Sequence, residues 1–158
     1  MTYVPAEVYT GLRNQALAMT ADSVGSQDEV FGVLMETGYP RAVVTLLALT
    51  DGTASLYFSN GGGMIGMGAH PGPAAAARSL VSLAARHLSD LAPASGTPLP
   101  ELGDTQFYVL TRHGIRTSSA KEADLGAKRH LLSPLFYAAQ DLISEIRKVN
   151  ETQHKGSP

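Results

Sequence analysis

The sequence predicts an α+β domain in which an antiparallel sheet of about five strands is flanked by three helices. Three observations predict it. Runs rich in β-branched and aromatic residues, at positions 30–39, 42–50 and 54–59, are separated by turns too short for a crossover, so they pair antiparallel. Apolar residues recur at helical spacing in three other stretches. A chain of 158 residues fits one domain and buries most of its apolar surface. The elements follow in the order helix, meander, helix, hairpin, helix.

Pro5 suits a first helical turn, where its missing N–H costs nothing. Val8, Leu12, Ala16 and Met19 then give the first helix its apolar stripe, and Gly25 stops it. Gly38-Tyr39-Pro40 breaks the first two strands apart, and Val43, Val44, Leu46 and Leu47 place apolar side chains on both faces of the second, which predicts a central, doubly covered strand. Asp51-Gly52 is a hairpin signal, because glycine tolerates positive φ and aspartate bonds its own backbone. Residues 64–67 form a short fourth strand after a glycine-rich turn. The second helix is expected over residues 73–91, with Leu80, Leu83, Ala84, Leu88 and Leu91 as its stripe. Pro93, Pro98 and Pro100 make 92–104 an irregular, exposed connection. His113-Gly114 turns a hairpin between 106–111 and 115–119. Ser133 as N-cap and Pro134 at the first helical position open the third helix, carried by Leu135, Phe136, Ala139, Leu142, Ile143, Ile146 and Val149. Residues 1–149 thus form a single domain, and 150–158 are expected to be a disordered polar tail.

The charge is nearly balanced, 12 basic against 14 acidic residues, which favours neither nucleic acid nor an anionic membrane. Residues 1–60 hold 2 basic and 6 acidic side chains, a net −4, and residues 61–158 hold 10 and 8, a net +2. The ten aromatics (six Tyr, four Phe) lack the basic interleaving of single-strand binders. The absence of cysteine excludes disulfides, thiolate zinc sites and cysteine nucleophiles. The first residues show neither the basic nor the apolar region of a signal peptide, and the longest apolar run, 42–49, is too short to span a bilayer. A cytoplasmic location is therefore expected, and the richness in Ala and Gly suggests a bacterial source.

The most distinctive stretch is the glycine-rich loop after the meander, Asn60-Gly61-Gly62-Gly63-Met64-Ile65-Gly66-Met67-Gly68, followed by His70 and the second helix. The run Gly63-Met64-Ile65-Gly66-Met67-Gly68 does not have the spacing of the dinucleotide fingerprint, which wants G-x-G-x-x-G between a strand and an adjoining helix, and no Gly-Lys-Ser/Thr ends the loop as in a phosphate loop. A looser ligand-binding reading sets Gly61, Gly62 and Gly63 as backbone cradle, the helix start as anion site, Arg78 as counter-charge and His70 as proton carrier, for an anionic ligand or nucleotide or for a small enzyme's substrate. The plainer reading is a hairpin tip whose glycines supply turn conformations. Met64, Ile65 and Met67 form an apolar cluster suited either to docking a partner or to packing on the core.

Five histidines show no metal-ligand spacing, and His87 falls within the apolar stripe of the second helix, where a hydrogen-bonded core role is the usual one. Gly-x-Ser-x-Gly does not occur. No catalytic residue, metal or cofactor is therefore assigned. Lys121, Lys128 and Arg129, with Glu122 and Asp124 beside them, read as solvated surface.

The strand, Asp51-Gly52, strand, glycine-rich loop, helix succession, set in this element order over residues 5–149, resembles roadblock and longin domains, which share a profilin-like layout of helices on an antiparallel sheet. The resemblance implies a non-catalytic scaffold or regulator, with a small GTPase or other protein as partner. The expected function is a protein-interaction or regulatory module acting as a homodimer, joined through a sheet edge or a helix face.

Overall fold

The structure, a computed structural model, describes residues 3–155. The chain runs α1 (Glu7–Leu17), α2 (Ala21–Val24), β1 (Val30–Gly38), β2 (Val43–Leu49), β3 (Ala54–Phe58), β4 (Gly63–Met64), α3 (Pro71–Arg86), β5 (Ala92–Pro93), β6 (Asp104–Thr111), β7 (Gly114–Lys121), α4 (Glu122–Gly126) and α5 (Ser133–Lys155). One sheet in the order β4-β3-β2-β1-β6-β7-β5 pairs antiparallel throughout. The α+β class and the antiparallel sheet agree with the sequence. The counts do not: there are seven strands and five α-helices among the described residues, where about five strands and three helices were expected. The additions are the short α2, α4 and β5; the short fourth strand expected over 64–67 is present as the two-residue β4, with Met67 in a 3-10 turn.

The sheet is covered on both faces. Tyr9 and Ala16 of α1 and Ala21 of α2 pack on Phe31, Leu34, Leu47, Tyr57, Tyr108 and Leu110. On the other face α3 and α5 pack on Val33, Met35, Leu46, Leu56, Phe107 and Val109. The central strand is β1, buried at every position, and β2 beside it is nearly so. A β-bulge breaks the register of β1: Val30 pairs with Thr111 and Gly32 with Leu110, which leaves Phe31 as the extra residue. Phe31 thereby joins Leu34 on the α1 face.

The Asp51-Gly52 turn closes the β2–β3 hairpin, with the Thr53 N–H donating to Asp51 Oδ1 at 2.9 Å and Gly52 at φ +91°. The α5 stripe is as expected: Leu135, Phe136, Ala139, Leu142, Ile143 and Ile146 are all buried. Ser133, however, is the first helical residue rather than the cap, and Pro134 is the second. The helix also continues through 150–155, a stretch expected in the disordered tail, and residues 156–158 lie outside the described residues. The second helix stops at Arg86, where His87 caps it and a 3-10 turn over Leu88–Asp90 follows. His87 is half-buried, its Nδ1 3.0 Å from the Asp90 carboxylate. No described helix is long and apolar enough to cross a membrane.

The sheet edges differ. β4 covers β3 at only two positions, Leu56 and Tyr57. β5 covers β7 only at Arg116 and Thr117, with one further bond from the Ala94 N–H to the Ile115 carbonyl at 2.9 Å. Strand periodicity then turns the backbone groups of Ser119 and Lys121 outward, beyond the end of β5.

Candidate functional site

The glycine loop folds onto its own hairpin. The Gly61 N–H donates to the Phe58 carbonyl and the Phe58 N–H to the Gly62 carbonyl, both at 2.9 Å, and Gly63 and Met64 return along Tyr57 and Leu56. Gly61 stands at φ +108°, a conformation that glycine adopts at no steric cost. Further on, Gly68 lies so close to the β2–β3 turn that a Cβ there would overlap the Gly52 carbonyl oxygen. The three apolar residues part company. Met67 is 6% exposed and belongs to the core, Met64 is half-buried against it, and Ile65 is 59% exposed.

Arg78 and His70 serve different neighbours. The Arg78 guanidinium rests against Gly52 and donates from Nη2 to the Asp51 carbonyl at 3.2 Å, bracing the β2–β3 turn. His70 precedes α3 and lies with Nε2 3.2 Å from the amide nitrogen of Gln153 on α5. Eight residues separate the two along the helix, about 12 Å of rise. The α3 start is also a poor anion cradle. Pro71 and Pro73 have no N–H, the Ala74 N–H is taken by the His70 carbonyl, and the Glu145 carboxylate sits over Gly72. The negative group at this helix start is the chain's own, as helix polarity favours. Gly61, Gly62, Gly63, His70 and Arg78 therefore do not converge on one point: the glycines close a turn, Arg78 locks another, and His70 faces α5.

A charged cluster that the sequence reading overlooked lies under α1. Glu36 points from the middle of β1 toward α1 and is 0% exposed. Arg13 meets it with two parallel bonds, Nε to Oε2 at 2.7 Å and Nη2 to Oε1 at 2.8 Å, the bidentate geometry that suits guanidinium and carboxylate. Thr45 of β2 donates its hydroxyl to Glu36 Oε2 at 2.8 Å, so the Tyr9 hydroxyl, 2.7 Å away, donates to Thr45. Arg13 Nη2 reaches the Thr97 carbonyl at 2.8 Å, its guanidinium lies 5.8 Å over the Tyr108 ring, and the Tyr108 hydroxyl donates to the Pro98 carbonyl. The proline-containing connection, expected to be exposed, is thus in part a strap across the cluster.

This cluster sets the face of α1. The buried positions are Tyr9, Arg13 and Ala16, one residue round from the expected Val8, Leu12 and Ala16 stripe, and Val8 stands in solvent. Burial and the Glu36 charge push the Tyr108 hydroxyl up to about 12 and raise Tyr9 further still. For Arg13, burial opposes the charge, but the bonds and charge of Glu36 outweigh it and hold the guanidinium ionised. Every polar atom named has its partner, and the arrangement fastens a helix to a sheet. It is recognisable in sequence only by two signs: Glu36 is a lone charge inside a β run, and Arg13 is the single basic residue in the first forty.

Among the described residues no group of three or more His, Cys, Asp or Glu side chains is placed to hold a metal ion. Compared with family models, with curated proteins and with solved structures, the chain matches none.

Proposed function

We propose that the chain is a non-catalytic protein-interaction or regulatory module that works as a homodimer. The observation that carries this reading is the half-open β7 edge. This eight-residue strand is paired with β6 along its whole length, but on its outer side it is paired at only two positions, and a stretch with unpaired, outward-facing backbone groups is a template for another strand. Two copies of β7 laid antiparallel about Ser119 would continue the sheet across a two-fold axis, with the same residues on both sides. The small side chains of Ser118, Ser119 and Ala120 leave room for that approach.

The element order supports the same reading, since helix, meander, helix, hairpin, helix with helices on both faces resembles the profilin-like layout of roadblock and longin domains. A small GTPase or other protein as partner, and a cytoplasmic bacterial setting, belong to this proposal through that resemblance and the composition.

The test is the solution mass by size-exclusion chromatography with light scattering, for the native chain and for Ser119→Pro. Proline removes an outward N–H and no bond of the β6–β7 ladder. A dimer that becomes a folded monomer on this substitution is the expected result. A native monomer, or a variant that stays dimeric, overturns the edge-paired dimer.

A further inference from the structure

We infer that the corner where α4 meets α5 is a docking site for a segment of a partner protein that presents a carboxylate next to a bulky apolar side chain. The inference rests on the reading of the chain as an interaction module and adds a surface distinct from the β7 edge. Lys128, His130, Leu131, Ser133, Pro134 and Tyr137 line an open cleft of about 330 Å³ whose surface is mainly apolar. Leu131 is 71% exposed, the most exposed large apolar side chain after Val4 among the described residues, and Tyr137 and Pro134 stand exposed beside it. Small molecules are held in concave sites that bury most of their surface. A protruding leucine on a helix corner is instead covered by another protein's side chains.

Charge decides which side chains. Lys128 is the one non-glycine residue at positive φ among the described residues, +61°, and it ends α4 in a double-bonded cap: its N–H donates to the Leu125 carbonyl and that of Arg129 to the Asp124 carbonyl. Glycine is the ordinary occupant of such a position. The lysine here holds its ammonium 5.5 Å from the centroid of the Tyr137 ring and makes no ion pair among the described residues, whereas the neighbouring Arg129 is paired with Asp124 at 3.0 Å. His130 adds a second donor. Its Nδ1 accepts the Leu132 N–H at 3.0 Å, so Nε2 is the ring nitrogen left to face a partner.

An independent sign comes from Ser133. It is 4% exposed, lines this cleft, and its Oγ is the one buried side-chain polar atom without a hydrogen-bond partner among the described residues. An orphaned hydroxyl at the positive end of a 23-residue helix, beside an uncompensated ammonium, matches an acceptor that arrives with the partner. The carboxylate meets Lys128 and His130, and the adjoining apolar side chain lies over Leu131 and Tyr137.

The test is selection from a displayed random peptide library against the intact chain, with Leu131→Asp and Lys128→Glu as comparisons. Both residues are exposed, and circular dichroism checks that the variants fold. The expected outcome is enrichment of peptides with Asp, Glu or a C-terminal carboxylate beside a bulky apolar residue. Leu131→Asp then abolishes the enrichment, and Lys128→Glu weakens the selected peptide about ten-fold or more, as charge reversal at an interface does. Ser133→Ala weakens it with the melting temperature held or raised. No enrichment above Leu131→Asp, peptides without carboxylates, a saturated fatty acid competing as well as the peptide, or equal affinity for Lys128→Glu would each overturn the inference. Its failure with a dimer still sensitive to Ser119→Pro would leave the module reading standing, and a monomer that selects such peptides would remove the dimer alone.

Discussion

Arg13→Met isolates what the buried ion pair contributes. Methionine keeps an unbranched apolar stem in the same place and removes the guanidinium, so packing is nearly preserved while the charge is lost. The Glu36 carboxylate, 0% exposed, would then keep a single side-chain donor, Thr45, in place of three bonds. Breaking a buried pair in this way costs about 3–5 kcal/mol. The two charge-assisted bonds, at roughly 1.5–3 kcal/mol each, give a consistent range. Against a typical domain stability of about 5–15 kcal/mol this is a large share, and at about 2–4 °C per kcal/mol it lowers the melting temperature by roughly 6–20 °C. Urea titration at neutral pH reads the loss as a shifted midpoint at unchanged slope. Arg13→Met with Glu36→Leu removes both charges and regains most of the loss, because the penalty lies in the orphaned carboxylate. A single-variant cost under about 1 kcal/mol, the value of a surface pair, would refute the reasoning, and so would a double variant no better than the single.

Three further expectations follow from buried or crowded positions. Tyr9 and Tyr108 are raised in the fold above the unfolded value near 10, so the folded state holds protons that the unfolded state releases; their contribution is complete below about pH 10 and is lost as pH rises, at about 1.4 kcal/mol per pH unit each. Burial raises Tyr39 and Tyr57 as well, so urea midpoints at pH 9, 10 and 11 should fall through the sum of these groups, and Tyr108→Phe should make the slope shallower without abolishing it. Lys128→Gly relieves a left-handed lysine and should raise stability by about 1 kcal/mol in a thermal melt, less any contribution from its contact with Tyr137. Gly68→Ala forces a methyl into the Gly52 carbonyl and should cost about 1–3 kcal/mol, while Gly96→Ala, with open space around it, should stay within about 0.5 kcal/mol.

The parts of the fold that sequence shows are those with enough length for periodicity. The α5 stripe from Leu135 to Ile146 is apolar at each position that packing demands, so the pattern and the buried face coincide. The Asp51-Gly52 hairpin is legible because its chemistry is local. In contrast α2, α4 and β5 span two to five residues each, shorter than a window in which any period can be counted. The face of α1 was displaced for a different reason. A hydrophobicity pattern scores Arg13 as exposed, yet a long-range partner, Glu36, outweighs that preference and turns the helix by one residue.

The same division explains the candidate sites. A sequence shows where glycines are but not what approaches them, so Gly68 against Gly52 and Arg78 over Gly52 were beyond reach until the turn and the helix were in place. The two prolines at the head of α3 were legible, and they remove two of the N–H groups that an anion would need. At the α4–α5 corner the reverse holds. Lys128 and Arg129 look alike in sequence, two adjacent cations with acids nearby, and both read as solvated surface. Only the three-dimensional arrangement separates them, since Arg129 closes on Asp124 while Lys128 is held in a left-handed cap over Tyr137. A cation that could have been neutralised at no cost in backbone conformation, and is instead placed beside an exposed leucine and an unpartnered serine, is the arrangement that a carboxylate-bearing partner would complete.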